Sequence, residues 1–129
     1  MVPHPPPPRR DPLRARSEPR AILSFVATDA LEPDPRLLVA RLLYARALIQ
    51  AVPALELRFR LGDCAAAHHF VLGSPAEALA AAARLAELGF RVEAWRSPCG
   101  IRCVLSSTHT EAQIGALFAA ITRVIRAPG

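Results

Sequence analysis

The sequence contains no lysine, because all 16 of its basic residues are arginine. A guanidinium does not condense with an aldehyde, so this chain offers no primary side-chain amine for a covalent adduct of that kind. Any reaction that depends on such an amine needs one from elsewhere.

Cysteines, aromatic residues and long apolar runs are also scarce. The three cysteines are an odd number with no apolar signal segment before them, which disfavours a disulfide-stapled secreted protein. No apolar run approaches the length of about 18 residues that predicts a transmembrane helix. Aromatic residues make up 5% of the chain and no basic stripe is interleaved with them, which argues against nucleic-acid binding. We therefore expect a soluble, cytoplasmic protein that binds neither nucleic acid nor membrane.

Proline is abundant but unevenly placed, since seven of the 13 prolines fall within residues 1–19. Residues 1–20 also carry five arginines against two acids, which gives this segment +3 of the net charge of +5. A segment of this composition cannot bury enough apolar surface to fold. The sequence predicts a disordered Pro/Arg-rich tail over residues 1–20.

Residues 21–53 are predicted to hold a linker segment and one helix. Asp34 and Pro35 supply an N-cap and a first helical residue, and an apolar stripe at helical spacing carries the helix to about Gln50. Apolar residues lie on several sides of this helix. That distribution is typical of a helix that packs against another domain.

Residues 54–127 are predicted to form a small domain in the order strand, strand, helix, strand, strand, helix. The first strand, "ALELRFRLG", would turn Leu55, Leu57, Phe59 and Leu61 inward, and "FRVEAW" would do the same with Phe90, Val92 and Ala94. Ser74 with Glu77 caps the first helix, Gly89 ends it, and Thr110 with Gln113, or Thr108 with Glu111, caps the last. The predicted fold class is α+β: a small mixed or antiparallel sheet of three to four strands with two helices on one face, a preceding helix and the disordered tail.

One charged residue is out of place in the strand "GIRCVL" (100–105). Alternation turns Ile101, Cys103 and Leu105 to the core face, which leaves Arg102 as a permanent charge in an apolar strand. A buried guanidinium fork is suited to bidentate binding of a carboxylate.

Several short motifs follow one another in an order known from an enzyme family. They are "FVATDALEP" (25–33), "LGS" (72–74), "LGFRV" (88–92), "IR" (101–102) and "SSTHTEAQI" (106–114). Together they resemble the C-terminal small domain of the fold-type I pyridoxal-phosphate enzymes, aminotransferase class I/II. Among these the chain looks most like the α-oxoamine synthases, which include 8-amino-7-oxononanoate synthase and 2-amino-3-ketobutyrate coenzyme A ligase. The resemblance extends over roughly residues 20–126.

The resemblance implies a role for two residues. Arg102 lies seven residues before His109, where the family carries the arginine that binds the substrate's carboxylate. In a gapless match Asp29 stands at the place of the family's phosphate-facing threonine, and Thr28 beside it is the residue expected near the cofactor's phosphate. No catalytic residue and no metal ligand is predicted on this chain.

The family's catalytic lysine forms a Schiff base with pyridoxal 5'-phosphate and lies in a large domain that precedes the matched segment. This chain has neither that domain nor any lysine. The resemblance thus implies pyridoxal 5'-phosphate as the family's cofactor, not held covalently here, and a partial or stand-alone C-terminal domain that is not catalytic alone. The expected partner is a large PLP-binding domain on another chain, or a second copy in a homo-oligomer.

The same residues also allow structural, non-enzymatic interpretations. Arg102 could be an ordinary charge paired with an acid such as Glu93, in which case the chain is a non-enzymatic α+β module that binds a protein or a small ligand. The spacing disfavours a metal site on Cys99, Cys103 and the histidines, or a Cys99–His109 nucleophilic pair. We expect Cys103 in the core and His109 in a structural role at a helix start. Trp95 fits either core cover or a partly exposed indole at a domain interface.

Overall fold

The structure is a computed structural model that describes residues 22–126. The tail predicted for residues 1–20 lies outside the described residues, and so does residue 127 at the end of the predicted domain. Within the described part, no helix combines the length and the apolar character needed to cross a membrane.

Residues 22–126 form four helices and six strands. The helices are α1 (Pro35–Ala51), α2 (Pro53–Arg58), α3 (Pro75–Glu87) and α4 (Glu111–Arg126). The strands are β1 (Leu23–Ser24), β2 (Phe59–Leu61), β3 (Ala67–Val71), β4 (Phe90–Arg91), β5 (Glu93–Arg96) and β6 (Cys99–Val104).

Four of the strands make one antiparallel sheet in the order β2-β3-β6-β5. Strands β1 and β4 make a separate parallel pair, with Leu23 opposite Phe90. The α+β class and the small antiparallel sheet are thereby confirmed. The parallel pair was not predicted, because two residues of "ILSFVA" are too short a strand to recognise from alternation.

The helix ends follow the predicted capping chemistry. Asp34 and Ser74 each accept a hydrogen bond from the backbone N–H three residues on, at 3.1 Å in both cases. Thr110 and Gln113 exchange side-chain bonds with each other's backbone N–H groups at 3.1 and 3.0 Å, which makes them the capping box of α4. Gly89 follows the C-cap residue Leu88 of α3 and has a φ of 99°, a conformation that favours glycine.

The strand predicted for residues 54–61 is largely wrong. Pro53 opens α2 directly behind the end of α1, and only the last three residues of the segment extend into β2. Leu55 is buried, whereas Leu57 is 76% exposed and Leu61 69% exposed, so the predicted inward row does not exist. An alternation this short also fits one helical turn that buries a single leucine, and packing against the rest of the domain selects the helix.

The strand predicted for residues 90–95 is in fact two strands. Its first half, β4, bonds to β1, and its second half, β5, bonds to β6, so the chain changes partner at Val92. Phe90 and Val92 pack against the core. Ala94 pairs with Ile101 and so lies on the predicted side of the sheet, but it is exposed rather than buried. Because residues 90 and 91 pair with β1, they do not join the four-stranded sheet that contains β5.

The antiparallel sheet has two different faces. On the inner face, Phe70, Ile101 and Cys103 are buried in one cluster with Ile114 and Leu117 of α4. Leu105 belongs to the same cluster, which confirms the predicted core side of β6. By alternation, the opposite side of the sheet presents His69, Glu93, Trp95 and Arg102, and we call it the outer face.

Candidate functional site

Arg102 stands at the centre of the outer face. It lies opposite His69 on β3 and opposite Glu93 on β5, and directly paired residues share a side of the sheet. Despite its permanent charge, Arg102 is only 8% exposed. A guanidinium buried to this extent needs partners for its donors.

Two carboxylates supply partners for Nη1 and Nη2, whereas Nε has none among residues 22–126. Arg102 Nη2 donates to Asp63 Oδ1 at 2.6 Å, and Nη1 donates to Glu93 Oε2 at 3.1 Å. The pairing with Glu93 that the sequence allowed as an alternative is present, and Asp63 adds a partner that was not predicted. The role of Arg102 in binding a substrate carboxylate stays a prediction.

Glu93 is held in place by its own hydrogen bonds. Its Oε2 also accepts from the indole Nε1 of Trp95 at 2.9 Å, and its Oε1 accepts from the backbone N–H of Ala27 at 3.2 Å. The Trp95 ring lies 4.9 Å from the guanidinium carbon of Arg102, within the range of a cation–π contact. Trp95 is half-buried and covers Arg102 on the outer face rather than the core.

Both members of this fixed pair are charged at neutral pH. Burial alone would lower the pKa of Arg102, but hydrogen bonds to Glu93 and Asp63 raise it above its ordinary value. Burial alone would raise the pKa of Glu93, but hydrogen bonds from Trp95, Ala27 and Arg102 hold it below its usual range. The outer face therefore places one cation between two anions.

Arg102 lines two cavities. The larger, of about 500 Å³, is bounded by the segment before α1, the end of β6 and the loop that follows, and its lining includes Thr28, Glu32, Cys64, Arg102, Ser106 and His109. The smaller, of about 150 Å³, lies on the outer face between Asp63, His69, Trp95 and Arg102. The two predicted site residues, Thr28 and Arg102, thus line the same cavity.

The surroundings of Thr28 are acidic. Its Oγ1 accepts a hydrogen bond from the backbone N–H of Ala30 at 3.3 Å, within its own turn. Residues 27–34 contain Asp29, Glu32 and Asp34 and no basic residue. Anions at this position repel a phosphate. These residues alone do not fit a phosphate group, and the expectation of a cofactor phosphate near Thr28 stays a prediction.

His109 lines the larger cavity but has a structural role, as expected. The backbone N–H of Ser106 donates to Nδ1 at 3.0 Å, so the proton is on Nε2, which donates to the carbonyl oxygen of Ser24 at 2.8 Å. The ring stacks on Phe25 with centroids 4.1 Å apart. Both nitrogens are engaged by backbone groups, which ties the end of β6 to β1.

His69 is a site residue that the sequence analysis did not assign to the outer face. It is 4% exposed, its Nε2 has no hydrogen-bond partner in the part of the chain that the structure describes, and its ring meets the Trp95 ring edge-on at 5.8 Å. Burial lowers the pKa of His69, a hydrogen bond to the backbone of Pro98 opposes this, and the charge of Arg102 adds to the lowering. The signal was present in the sequence, because two adjacent histidines in a strand must point to opposite faces.

The three cysteines are free thiols in different environments. Cys103 is buried in the core as predicted, and burial raises the pKa of its thiol to about 12. Cys64 is exposed in the turn between β2 and β3, and Cys99 donates to the carbonyl oxygen of Arg96. Among residues 22–126, no three side chains of His, Cys, Asp or Glu come together as a metal site.

Comparisons with known proteins give partial matches. No protein-family model matches the chain. The chain is 40% identical over 65 residues to the 8-amino-7-oxononanoate synthase of Anaeromyxobacter sp. (strain Fw109-5), which covers 46% of this chain and 16% of the synthase. It is also similar to the serine palmitoyltransferase of Sphingomonas wittichii, with 26% identity, a TM-score of 0.48, and coverage of 69% of this chain and 25% of the transferase.

The match to the synthase confirms the resemblance to an α-oxoamine synthase that the motifs predicted. The chain spans about a sixth of the length of the synthase that it matches. What a whole synthase does therefore enters only as a proposal for this chain.

Proposed function

We propose that this chain is a partial or stand-alone C-terminal domain of a PLP-dependent, α-oxoamine synthase-like protein, and that it works against a large cofactor-binding domain on another polypeptide. The observation that carries the proposal is the 40% identity to 8-amino-7-oxononanoate synthase over 65 residues. The outer face of the sheet supports it, because a buried arginine lies there beside a cavity.

In this proposal, Arg102 orients the carboxylate of the substrate. Its side chain is supported by Trp95 on one side and by Glu93, so the direction of the fork is fixed before a ligand arrives. A preorganised donor loses less conformational entropy on binding than a flexible one. Its role is positioning, since it moves no proton and forms no bond.

The chain does not supply the covalent chemistry. Pyridoxal phosphate, when bound in such an enzyme, acts as an electron sink for the substrate carbon. Holding it covalently takes a lysine, and this chain contains none. The acidic segment around Thr28 does not favour its phosphate either. We therefore assign the amine and most of the phosphate contacts to the partner and expect no activity from this chain alone.

The helix α1 offers a surface for that partner. Val39 and Leu43 lie one helical turn apart and are 56% and 68% exposed, and Leu31 just before the helix is 93% exposed. Apolar side chains in a row of this kind are typical of a surface that another domain covers. Leu79 on α3 is 62% exposed, similar to Leu43, and provides a control position on a different helix.

The test is association with a synthase from which the segment matched by this chain has been deleted. The full chain should bind that protein and change the absorbance of its cofactor. Leu43→Glu should abolish binding, whereas Leu79→Glu should leave it intact. The subunit proposal is discarded if the wild-type chain changes neither sedimentation nor cofactor absorbance, and the surface is wrong if both leucine variants behave alike.

The double pairing of Arg102 favours one alternative, a non-enzymatic α+β binding module. Arg102 already forms ion pairs with Glu93 and Asp63, and a residue with a purely structural role would show the same arrangement. Under this alternative, Arg102→Gln lowers the free energy of unfolding and has no effect on the binding of a carboxylate. Under the main proposal, the fold survives and carboxylate binding is lost.

A further inference from the structure

The two acids that hold Arg102 differ in how firmly they are fixed. Glu93 accepts hydrogen bonds from Trp95 and Ala27 as well as from Arg102, and its side chain is 28% exposed. The side chain of Asp63 is 69% exposed, and Arg102 is the one partner found for its carboxylate among residues 22–126. Glu93 is therefore a built-in partner, whereas Asp63 is held by a single contact at the surface.

Asp63 occupies the place from which a ligand would reach the guanidinium. It lies in the turn between β2 and β3, which is closed by a bond from the N–H of Gly62 to the carbonyl of Ala67. Asp63 lines the smaller cavity, its neighbour Cys64 lines the larger one, and Arg102 lines both. The Asp63 carboxylate thus occupies one N–H of Nη2 beside the smaller cavity, and a ligand carboxylate that takes this N–H displaces it.

We propose that Asp63 is an internal competitor for the carboxylate site of Arg102, which a ligand carboxylate replaces one for one. This rests on the proposed role of Arg102. The exchange keeps two carboxylates in contact with the guanidinium, because the displaced Asp63 side chain turns toward solvent, where its charge is screened. A dianion such as phosphate would add a charge next to Glu93 and is disfavoured. Asp63 thereby sets both the affinity of the site and its selectivity for the charge of the ligand.

The sole tryptophan of the chain makes this measurable. Trp95 stacks on the Arg102 guanidinium and shares Glu93 with it, so its fluorescence reports on the pairing of Arg102. The full chain is titrated with acetate, with acetamide as the neutral isostere and with inorganic phosphate, at constant ionic strength. Asp63→Asn should bind acetate up to about fivefold more tightly, the equivalent of about 1 kcal/mol for an exposed ion pair. Glu87→Gln removes the same charge from an exposed position at the end of α3 and should leave the affinity unchanged.

The outcomes separate this inference from the proposal beneath it. If wild type and Asp63→Asn bind acetate equally and Arg102→Lys does not bind, Asp63 is not a competitor and the role of Arg102 stands. If Asp63→Asn responds to acetate and to acetamide in the same way, the competitor role of Asp63 and the carboxylate-binding role of Arg102 are both overturned. Phosphate binding as tight as acetate binding overturns the charge selectivity. Arg102→Lys keeps the charge but loses the fork, and its circular dichroism shows whether the fold is intact.

Discussion

Replacing Glu93 with glutamine removes the fixed partner of Arg102 while keeping the size of the side chain. Glutamine has one acceptor oxygen where glutamate has two, so it cannot satisfy Arg102, Trp95 and the N–H of Ala27 together. The substitution also takes away the charge that assists the bond from the guanidinium. Arg102 is only 8% exposed, so water can replace little of the lost hydrogen bond.

The size of the effect follows from the contacts. A hydrogen bond to a charged group contributes about 1.5–3 kcal/mol, and the 28% exposure of the Glu93 side chain lets water replace part of it. We expect Glu93→Gln to lower the free energy of unfolding by about 2 kcal/mol. Asp63→Asn removes the same charge from the same arginine, but its side chain is 69% exposed, and we expect a loss of about 0–1 kcal/mol.

The assay is urea unfolding followed by circular dichroism, at several pH values. The folded pKa of Glu93 is depressed, so its stabilisation is present above the ordinary value of 4.5 and is lost as pH falls through the folded value. Wild type and Glu93→Gln should differ fully at neutral pH and converge at acid pH. Equal losses for Glu93→Gln and Asp63→Asn, or a difference that does not shrink at acid pH, would refute the reasoning.

Three further predictions concern the fold around the site. Burial lowers the pKa of His68 below 6.5, so the unfolded chain takes up a proton that the folded chain refuses, and the free energy of unfolding should fall as pH drops below 6.5. Urea titrations at several pH values measure this, and His68→Gln should flatten the dependence. A Cβ at Gly100 would collide with the backbone of β3, so Gly100→Ala should unfold the protein at a lower temperature, whereas Gly115→Ala in α4, which meets only a tyrosine hydroxyl, should raise the melting temperature. A thiol reagent should label Cys64 rapidly in the folded protein and Cys103 only after unfolding, and equal rates would contradict the buried position of Cys103.

Local chemistry in the sequence was enough to predict the elements with strong end signals. Asp34 before Pro35, Ser74 before Pro75, and the Thr110–Gln113 pair fixed three helix starts, because a capping side chain acts within four residues. The core side of β6 followed from alternation, since one face of the strand carries only apolar residues.

Elements decided by distant partners could not be predicted in this way. The segment from Pro53 to Leu61 alternates like a strand, but its first six residues are helical in the packed domain. The change of partner at Val92 depends on a parallel bond to β1, far away in sequence. The Asp63–Arg102 contact joins residues 39 positions apart through a turn whose course no local pattern encodes.

The central claim is that this chain completes an enzyme by placing Arg102 against a partner's active site. The most direct measurement is the turnover of a synthase that lacks the matched segment, with this chain added. Wild type and Arg84→Lys, an exposed control on α3, should restore product formation, and Arg102→Lys should bind equally well but restore little or none. Restoration by Arg102→Lys to the level of wild type, or no restoration by any variant despite binding, would contradict the account.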